Sequence, residues 1–491
     1  EIMPSLVGSE MCIRDSFSKE TPDRLCIADD NSEYTYREMW QKVEIYAAAL
    51  KKRNVQKEDK IVVECTQDAR YLVICLACQR IGAVFVPVEN KMTPEKTTQI
   101  VTDVNAKCFF TENIKTGLEQ ECSIASLEQE TVERVEQKIS YPTGDDIAEI
   151  LFTTGTTGKS KGIVLSNENN IAIAENIISG TEKERNCIEL IFFPLSHSHG
   201  IRSCYANLLN GSASVIAKNI MNLKWIFSSM EKYKVTALDI SPNAAHILLK
   251  LSKGALADYK TQITCVQVGT AFLDEELKEE LIGILPHSRL YNFYGSTESG
   301  RVCVLDFSRI RGKEGCIGKP AVNAKFMMTD EARNPIQTSR EHPGLIAVSG
   351  KMNMVGYLND KELTEKTKHG GYIYTNDVGY IDEDGYVYVL GRADDVINYK
   401  GIKIMPEEIE KQALRYEEIV DCACVAEDDK MCGQIPKLFV QVKDKNTFRE
   451  VELMKFLSKI IEVSRMPQKI VVIDEIPRTS NGKILRRKLS E

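Results

Sequence analysis

The stretch Ile150–Leu165, ILFTTGTTGKSKGIVL, concentrates the groups needed to grip a phosphate. Thr153, Thr154, Thr156 and Thr157 surround Gly155 and Gly158, with Lys159 and Lys161 just behind. Glycine lets a backbone turn through positive φ and bring its N–H groups onto an anion. Threonine hydroxyls add donors, and lysine adds a charge suited to phosphate oxygens. The pattern departs from G-x-x-x-x-G-K-[ST], which opens a helix. Here Thr153 holds the first glycine position, and Gly162-Ile163-Val164-Leu165 reads as a strand. The spacing predicts a phosphate-gripping loop between two strands.

Such a loop needs rigid elements around it. From Tyr34 the pattern alternates: a helix over Tyr36–Arg53, a strand over Lys60–Glu64, a helix over Tyr71–Ile81 and a strand over Ala83–Val88. A second run from Cys187 to Leu285 carries helices over Trp225–Lys234 and Asp274–Leu285. This alternation predicts an α/β fold, a mainly parallel sheet covered by helices. Further on, Gly379–Leu390 reads as a hairpin turning at Asp382–Gly385, and Ile397–Ile404 as another around Lys400-Gly401. Pro406 then opens a helix, with Glu407 and Glu408 in its first turn.

A chain of 491 residues exceeds one ordinary core, so two or more domains are expected. Apolar residues at 43% and charged residues at 27% describe a globular protein. The net charge of -8 argues against a nucleic-acid footprint. The longest apolar stretch, Tyr71–Val88, is broken by Gln79, Arg80 and Gly82 and reads as a helix running into a strand, not a membrane span. Fifteen cysteines without a secretory leader predict reduced thiols and a cytoplasmic location. Cys75-x-x-Cys78 lacks the second pair and nearby histidines that a zinc site needs, so both are read as small core residues. Glu1–Ser16 shows no periodicity and is set aside as foreign or unstructured.

The stretch TTGTTGKSKG resembles the phosphate-loop signature of the adenylate-forming superfamily, which includes acyl-CoA synthetases, adenylation domains and luciferases. In that pattern Lys161 is the phosphate lysine, and Ser160 stands where proline is usual. The resemblance extends from Phe17 to the end. It implies a large N-terminal ATP- and acid-binding domain over residues 17–393, of parallel-type sheets between helices plus a β-subdomain. A small mobile α+β lid over residues 394–491 follows, hinged at Asp394.

Further segments match in order. Asn292, Phe293, Tyr294, Gly295, Ser296, Thr297 and Glu298 resemble the Y-G-x-T-E motif. By that likeness Tyr294 stacks on adenine, Thr297 bonds the α-phosphate, and Glu298 with Thr154 holds Mg²⁺. Gly269, Thr270 and Ala271 match the turn against the adenine and the acyl pocket. Asp377 matches the acid that takes the ribose hydroxyls, with Asn376 in place of the usual glycine. Arg392 matches the arginine that reaches the ribose or phosphate. Pro477-Arg478-Thr479-Ser480-Asn481-Gly482-Lys483 resembles the motif that presents the catalytic lysine, here Lys483. Arg486-Arg487-Lys488 reads as a solvated basic tail. In Phe193–Gly200 the likeness places His197 in the acid pocket beside Ser198, with His199 second. The aspartate typical of amino-acid-activating domains is missing there, which counts against an α-amino acid. Where relatives that take long or aryl acids often have glycine, this chain has Phe293, whose ring is expected to fill part of the pocket.

The implied activity is formation of an acyl-AMP and pyrophosphate from a small-molecule carboxylic acid and ATP with Mg²⁺. Acyl transfer to coenzyme A follows. One alternative acceptor is the phosphopantetheine of a carrier protein, expected in trans because no carrier segment follows Glu491 here. Another alternative is a non-catalytic nucleotide-binding regulator. The acid and the oligomeric state are left open.

Overall fold

The alternation expected after Tyr34 is present in the computed structural model, which describes residues 19–90, 92–129, 142–154, 160–252, 254–478 and 484–490. The chain divides into two units. One comprises Glu1–Lys325 with Val348–Ile373, and the other Phe326–Ala347 with Tyr374–Glu491. Residues 374–393 therefore group with 394–491.

Local chemistry sets the element ends. Helix Tyr36–Lys52 begins at Thr35, whose hydroxyl accepts from the Glu38 N–H while the Glu38 carboxylate accepts from the Thr35 N–H at 2.8 Å. Asp68 caps helix Ala69–Arg80, and Asp274 caps Glu275–Ile284. Cys75 and Cys78 are fully buried in the Ala69–Arg80 helix.

The first unit holds two sheets. In one, Ile147–Thr154, Val84–Val88, Lys60–Glu64, Cys108–Thr111 and Glu121–Ser123 run parallel. Ser160–Ser166 and Gly356–Tyr357 extend it antiparallel on the other side. In the second sheet, Arg289–Ser296, Cys265–Gly269, Ala237–Ile240, Ile188–Ile191, Ala213–Ile216 and Leu25–Ala28 are parallel neighbours. Gly300–Asp306 and then Cys316–Pro320 join antiparallel beyond Arg289–Ser296. Strands buried on both faces are usually apolar throughout. These carry Glu189, Asp239 and Gln267, each with no exposed surface. Buried polar groups of this kind need partners.

In the second unit, the register from Asp377↔Arg392 to Ile381↔Val387 closes the expected hairpin. Its turn is held by Asp382, which accepts from the Tyr386 N–H at 2.9 Å. Ile397–Tyr399 and Ile402–Ile404 form the next hairpin, with Lys400 and Gly401 both at positive φ. Helix Pro406–Ala413 packs beside the Ile419–Asp429 and Gly433–Val442 pair over a core that includes Ile397, Ile404, Ile409, Leu438 and Leu453. Among the described residues no helix is long and apolar enough to cross a membrane.

Candidate active site

The segment expected to grip phosphate lies on an antiparallel strand pair. Ile147–Thr154 pairs antiparallel with Ser160–Ser166, so that Thr153 faces Lys161 and Thr154 faces Ser160. Gly155, Thr156, Thr157, Gly158 and Lys159 lie outside the described residues, as do Glu1–Ser16 and Lys483. Lys161 stands with its Nζ 5.8 Å from the centre of the Tyr357 ring. The Tyr357 hydroxyl donates to Glu298 Oε1 at 2.9 Å, and the Met354 N–H donates to the Glu298 carbonyl at 2.8 Å. Tyr357 thus links the loop's lysine to the carboxylate expected to meet a metal.

Glu298 reaches this position through a tight reversal. Asn292, Phe293, Tyr294, Gly295 and Ser296 end the strand Arg289–Ser296, and Thr297–Ser299 turn back into Gly300–Asp306. The Ser299 N–H donates to Ser296 Oγ at 3.1 Å. A Cβ on Gly295 would lie 2.0 Å from the Gly300 carbonyl oxygen, so the turn closes only over glycine. Among the described residues no group of three His, Cys, Asp or Glu side chains is placed to hold a metal ion. Mg²⁺ held mainly by phosphate oxygens and water needs only one or two carboxylates, a demand that Glu298 fits.

Of the acid-pocket candidates, Gly269 and Phe293 meet, while His197 and Ser198 are not brought to the ring. A Cβ on Gly269 would sit 2.3 Å from Phe293 Cζ, so the ring lies directly against the glycine. Thr270 follows at φ +73°, which turns Ala271 away from the strand. The His199 ring stacks on Phe293 at 4.6 Å with an interplanar angle of 2°, and Phe193 meets His199 edge-on at 4.1 Å. The Arg301 guanidinium lies 3.8 Å from the centre of the Phe293 ring. Phe293 is therefore a buried ring packed by an imidazole, a guanidinium and a glycine.

Around this ring stand charges that sequence reasoning missed. Asp239 accepts from His199 Nε2, at 2.8 and 2.9 Å to its two oxygens, and also from Ser203 Oγ. Burial alone would raise the Asp239 carboxyl, but the His199 charge and hydrogen bond, with Arg301, hold it below its ordinary value. Arg301 donates to Gln267, and Gln267 in turn donates to Glu189. Burial pushes the Arg301 guanidinium down to about 10 against the opposing pull of Asp239 and Glu189. The only sequence signal for these groups was a polar residue inside an otherwise apolar strand.

His197 and His199 separate at the start of helix Ser198–Asn210. The backbone of His197 occupies the cap position, and its Nε2 lies 3.4 Å from Glu89 Oε1. Two residues on, His199 points to Phe293. Gly200 allows the approach of Pro194, since a Cβ there would meet the Pro194 carbonyl oxygen at 2.4 Å.

Asp377 and Arg392 face each other across their hairpin, with Arg392 Nη1 3.2 Å from Asp377 Oδ1. Asn376 sits at φ +64°, the left-handed region that asparagine tolerates better than other side chains, which accounts for asparagine in place of glycine. Asp394 is exposed in the short turn Ala393–Asp395. Arg486 departs from the solvated tail expected of it, because its side chain is half-buried among carboxylates.

Known proteins with the same architecture carry related names. The model of the AMP-binding enzyme family matches residues 15–358, and that of the AMP-binding enzyme C-terminal domain matches residues 408–483. The probable CoA ligase CCL5 of Humulus lupulus is 29% identical over 485 residues, covering 93% of this chain and 87% of that protein. The 4-coumarate--CoA ligase 2 of Nicotiana tabacum is 26% identical over 492 residues, covering 93% and 89%. Among solved structures, o-succinylbenzoate CoA synthetase (MenE) from Bacillus subtilis in complex with OSB-AMP superposes with a TM-score of 0.87 at 22% identity, covering 98% of each chain. ATP-bound MatB from Rhodopseudomonas palustris gives 0.86 at 22%, covering 97% and 98%. These structural likenesses concern the fold.

Proposed function

The chain belongs to the AMP-binding enzyme family, and from that membership we propose that it is an ATP-dependent carboxylate ligase that forms an acyl-AMP and then a coenzyme A thioester. In the first half-reaction the acid's carboxylate oxygen attacks the α-phosphorus of ATP, the α–β anhydride bond breaks, and pyrophosphate leaves. The phosphate loop with Lys161 holds the triphosphate, and Asp377 and Arg392 hold the ribose side. Lys483 and Thr297 meet the charge that builds at the α-phosphate, where fixed donors act most strongly. Glu298 and Thr154 are the groups that would hold Mg²⁺, which when bound offsets charge on the phosphate oxygens. In the second half-reaction the thiol sulfur attacks the acyl carbon, AMP departs with the anhydride oxygen, and the thiol proton passes to solvent. Between the two, the lid beginning at Asp394 rotates.

The observation that carries this reading is that Lys161 of the hairpin stands by Tyr357, whose hydroxyl donates to Glu298. The names of the curated relatives, CoA ligases across most of the chain, favour coenzyme A as acceptor. The packed Phe293 partition favours a short or medium acid, because the space over Gly269 is already filled by the ring. Carboxylate-dependent exchange of pyrophosphate into ATP, run over a panel of acids, tests the first step. Thioester formation with coenzyme A against a phosphopantetheinyl carrier protein tests the second. Exchange with no acid in the panel would point instead to a nucleotide-binding regulator, and transfer to the carrier alone to a stand-alone adenylation enzyme.

A further inference from the structure

Arg486 uses its whole guanidinium. Nε donates to Asp395 Oδ2 at 3.3 Å, and Nη2 to Glu407 Oε1 at 2.8 Å and Glu410 Oε2 at 3.1 Å. Nη1 donates to Glu410 Oε1 and to the Cys424 carbonyl at 3.0 Å. All five N–H donors of the fork have an acceptor. The acceptors come from three places: the turn just after Asp394, helix Pro406–Ala413 and strand Ile419–Asp429.

Arg478 makes a second fork, on strand Ile419–Asp429. Its Nε donates to Asp421 Oδ2 at 2.9 Å and its Nη2 to Asp421 Oδ1 at 2.7 Å. Arg478 also bridges to Ile484, and the Leu485 N–H donates to the Pro477 carbonyl at 2.8 Å. The chain on either side of residues 479–483 is thus fastened by two planar, bidentate contacts, Arg478 to Asp421 on strand Ile419–Asp429 and Arg486 to Glu410 on helix Pro406–Ala413, with a further Arg486 contact to the strand at the Cys424 carbonyl. Three carboxylates gathered on one half-buried guanidinium gain little net stability, because desolvation offsets the attraction. Their geometry is strict, however, and lysine cannot reproduce it.

We propose that Arg478 and Arg486 are positioning residues for the adenylation step. They brace the chain on the two sides of residues 479–483, Arg478 against strand Ile419–Asp429 and Arg486 against helix Pro406–Ala413, and Arg486 reaches the turn after Asp394 through Asp395. This rests on the reading of Lys483 as the lysine that meets charge in the first half-reaction. A displacement of about 1 Å in such a group costs on the order of 100-fold in rate. On that reading the lysine acts before the lid rotates, so the second half-reaction is expected to proceed without it.

The test uses the full chain with Lys483→Ala, Arg478→Lys and Arg486→Lys, each assayed for acyl-AMP formation and for thioester formation from supplied acyl-AMP. Lys483→Ala should abolish the first step and retain the second. Each arginine variant should lower kcat of the first step by about 10- to 100-fold, with the KM for ATP little changed and the second step near wild type. Full adenylation by Lys483→Ala overturns the reading of the lysine itself. An inactive Lys483→Ala beside wild-type rates in both arginine variants overturns the bracing alone, as does an equal loss of both steps. If Arg486→Lys does not fold, Arg478→Lys, whose pair with Asp421 is more exposed, decides by the same criteria.

Discussion

Replacing Phe293 by glycine removes a ring that touches Gly269, His199 and Arg301 at once. The loss of a buried phenylalanine costs about 3–5 kcal/mol of stability, and Arg301 gives up a desolvated cation–π contact of about 2 kcal/mol. Both costs fall on every substrate alike, so they cancel in the ratio of kcat/KM between two acids. What does not cancel is the space over Gly269. Each substrate methylene placed there gains about 0.8 kcal/mol, which at about 1.36 kcal/mol per tenfold is roughly fourfold. Three methylenes then shift preference by about 60-fold toward the longer acid. Pyrophosphate exchange across a homologous series of straight-chain acids measures the ratio, with a melting curve to confirm folding. A chain-length profile identical to that of wild type would refute the partition, because it would mean that the ring borders no space the acid enters. Phe293→Leu should fall between the two.

Asp394→Pro fixes φ at the proposed hinge and should retain acyl-AMP formation while losing thioester formation; equal loss of both steps would remove Asp394 from the hinge role. Tyr357→Phe deletes the donor to Glu298 Oε1 and should raise the Mg²⁺ concentration for half-maximal exchange by about tenfold, read from a titration of exchange rate; an unchanged titration would separate Tyr357 from the carboxylate proposed to hold the metal. Asp239→Asn should lower the melting temperature near neutral pH and flatten its acid limb. The folded carboxyl is held below its ordinary value of about 3.9, so its stabilisation is present above that pH and drains away as pH falls through the folded value. Melting curves in which wild type and variant stay parallel down to about pH 3 would contradict this.

The parts of the fold that could be read from the sequence were those governed by neighbours in the chain. Asp274 and Pro406 mark helix starts because capping and a fixed φ act within one turn. The phosphate hairpin was readable because Gly155 and Gly158 stand between two extended runs. Asn376 looked like a departure from a glycine, and its φ of +64° shows that the position asks for a left-handed conformation, not for glycine itself. The histidines mark the limit of this kind of reading. His197 and His199 sit two residues apart at the start of one helix, and i and i+2 do not share a helix face. Only one of them can then face Phe293, and which one depends on where the cap falls.

The charges behind the site were hidden for a different reason. Asp239, Gln267 and Arg301 lie far apart in sequence and meet through strand register, which aligns Asp239 with Gln267. A polar residue in an apolar strand announces that a partner exists without naming it. Arg486 carries the same lesson with the opposite sign. Beside Arg487 and Lys488 it reads as part of a solvated run, because its acceptors Asp395, Glu407 and Glu410 lie 76 to 91 residues earlier. A charge run predicts solvent only when nothing distant supplies the counter-charge. At Arg486 three carboxylates do, and they convert a tail into a brace between the hinge turn and the segment after Lys483.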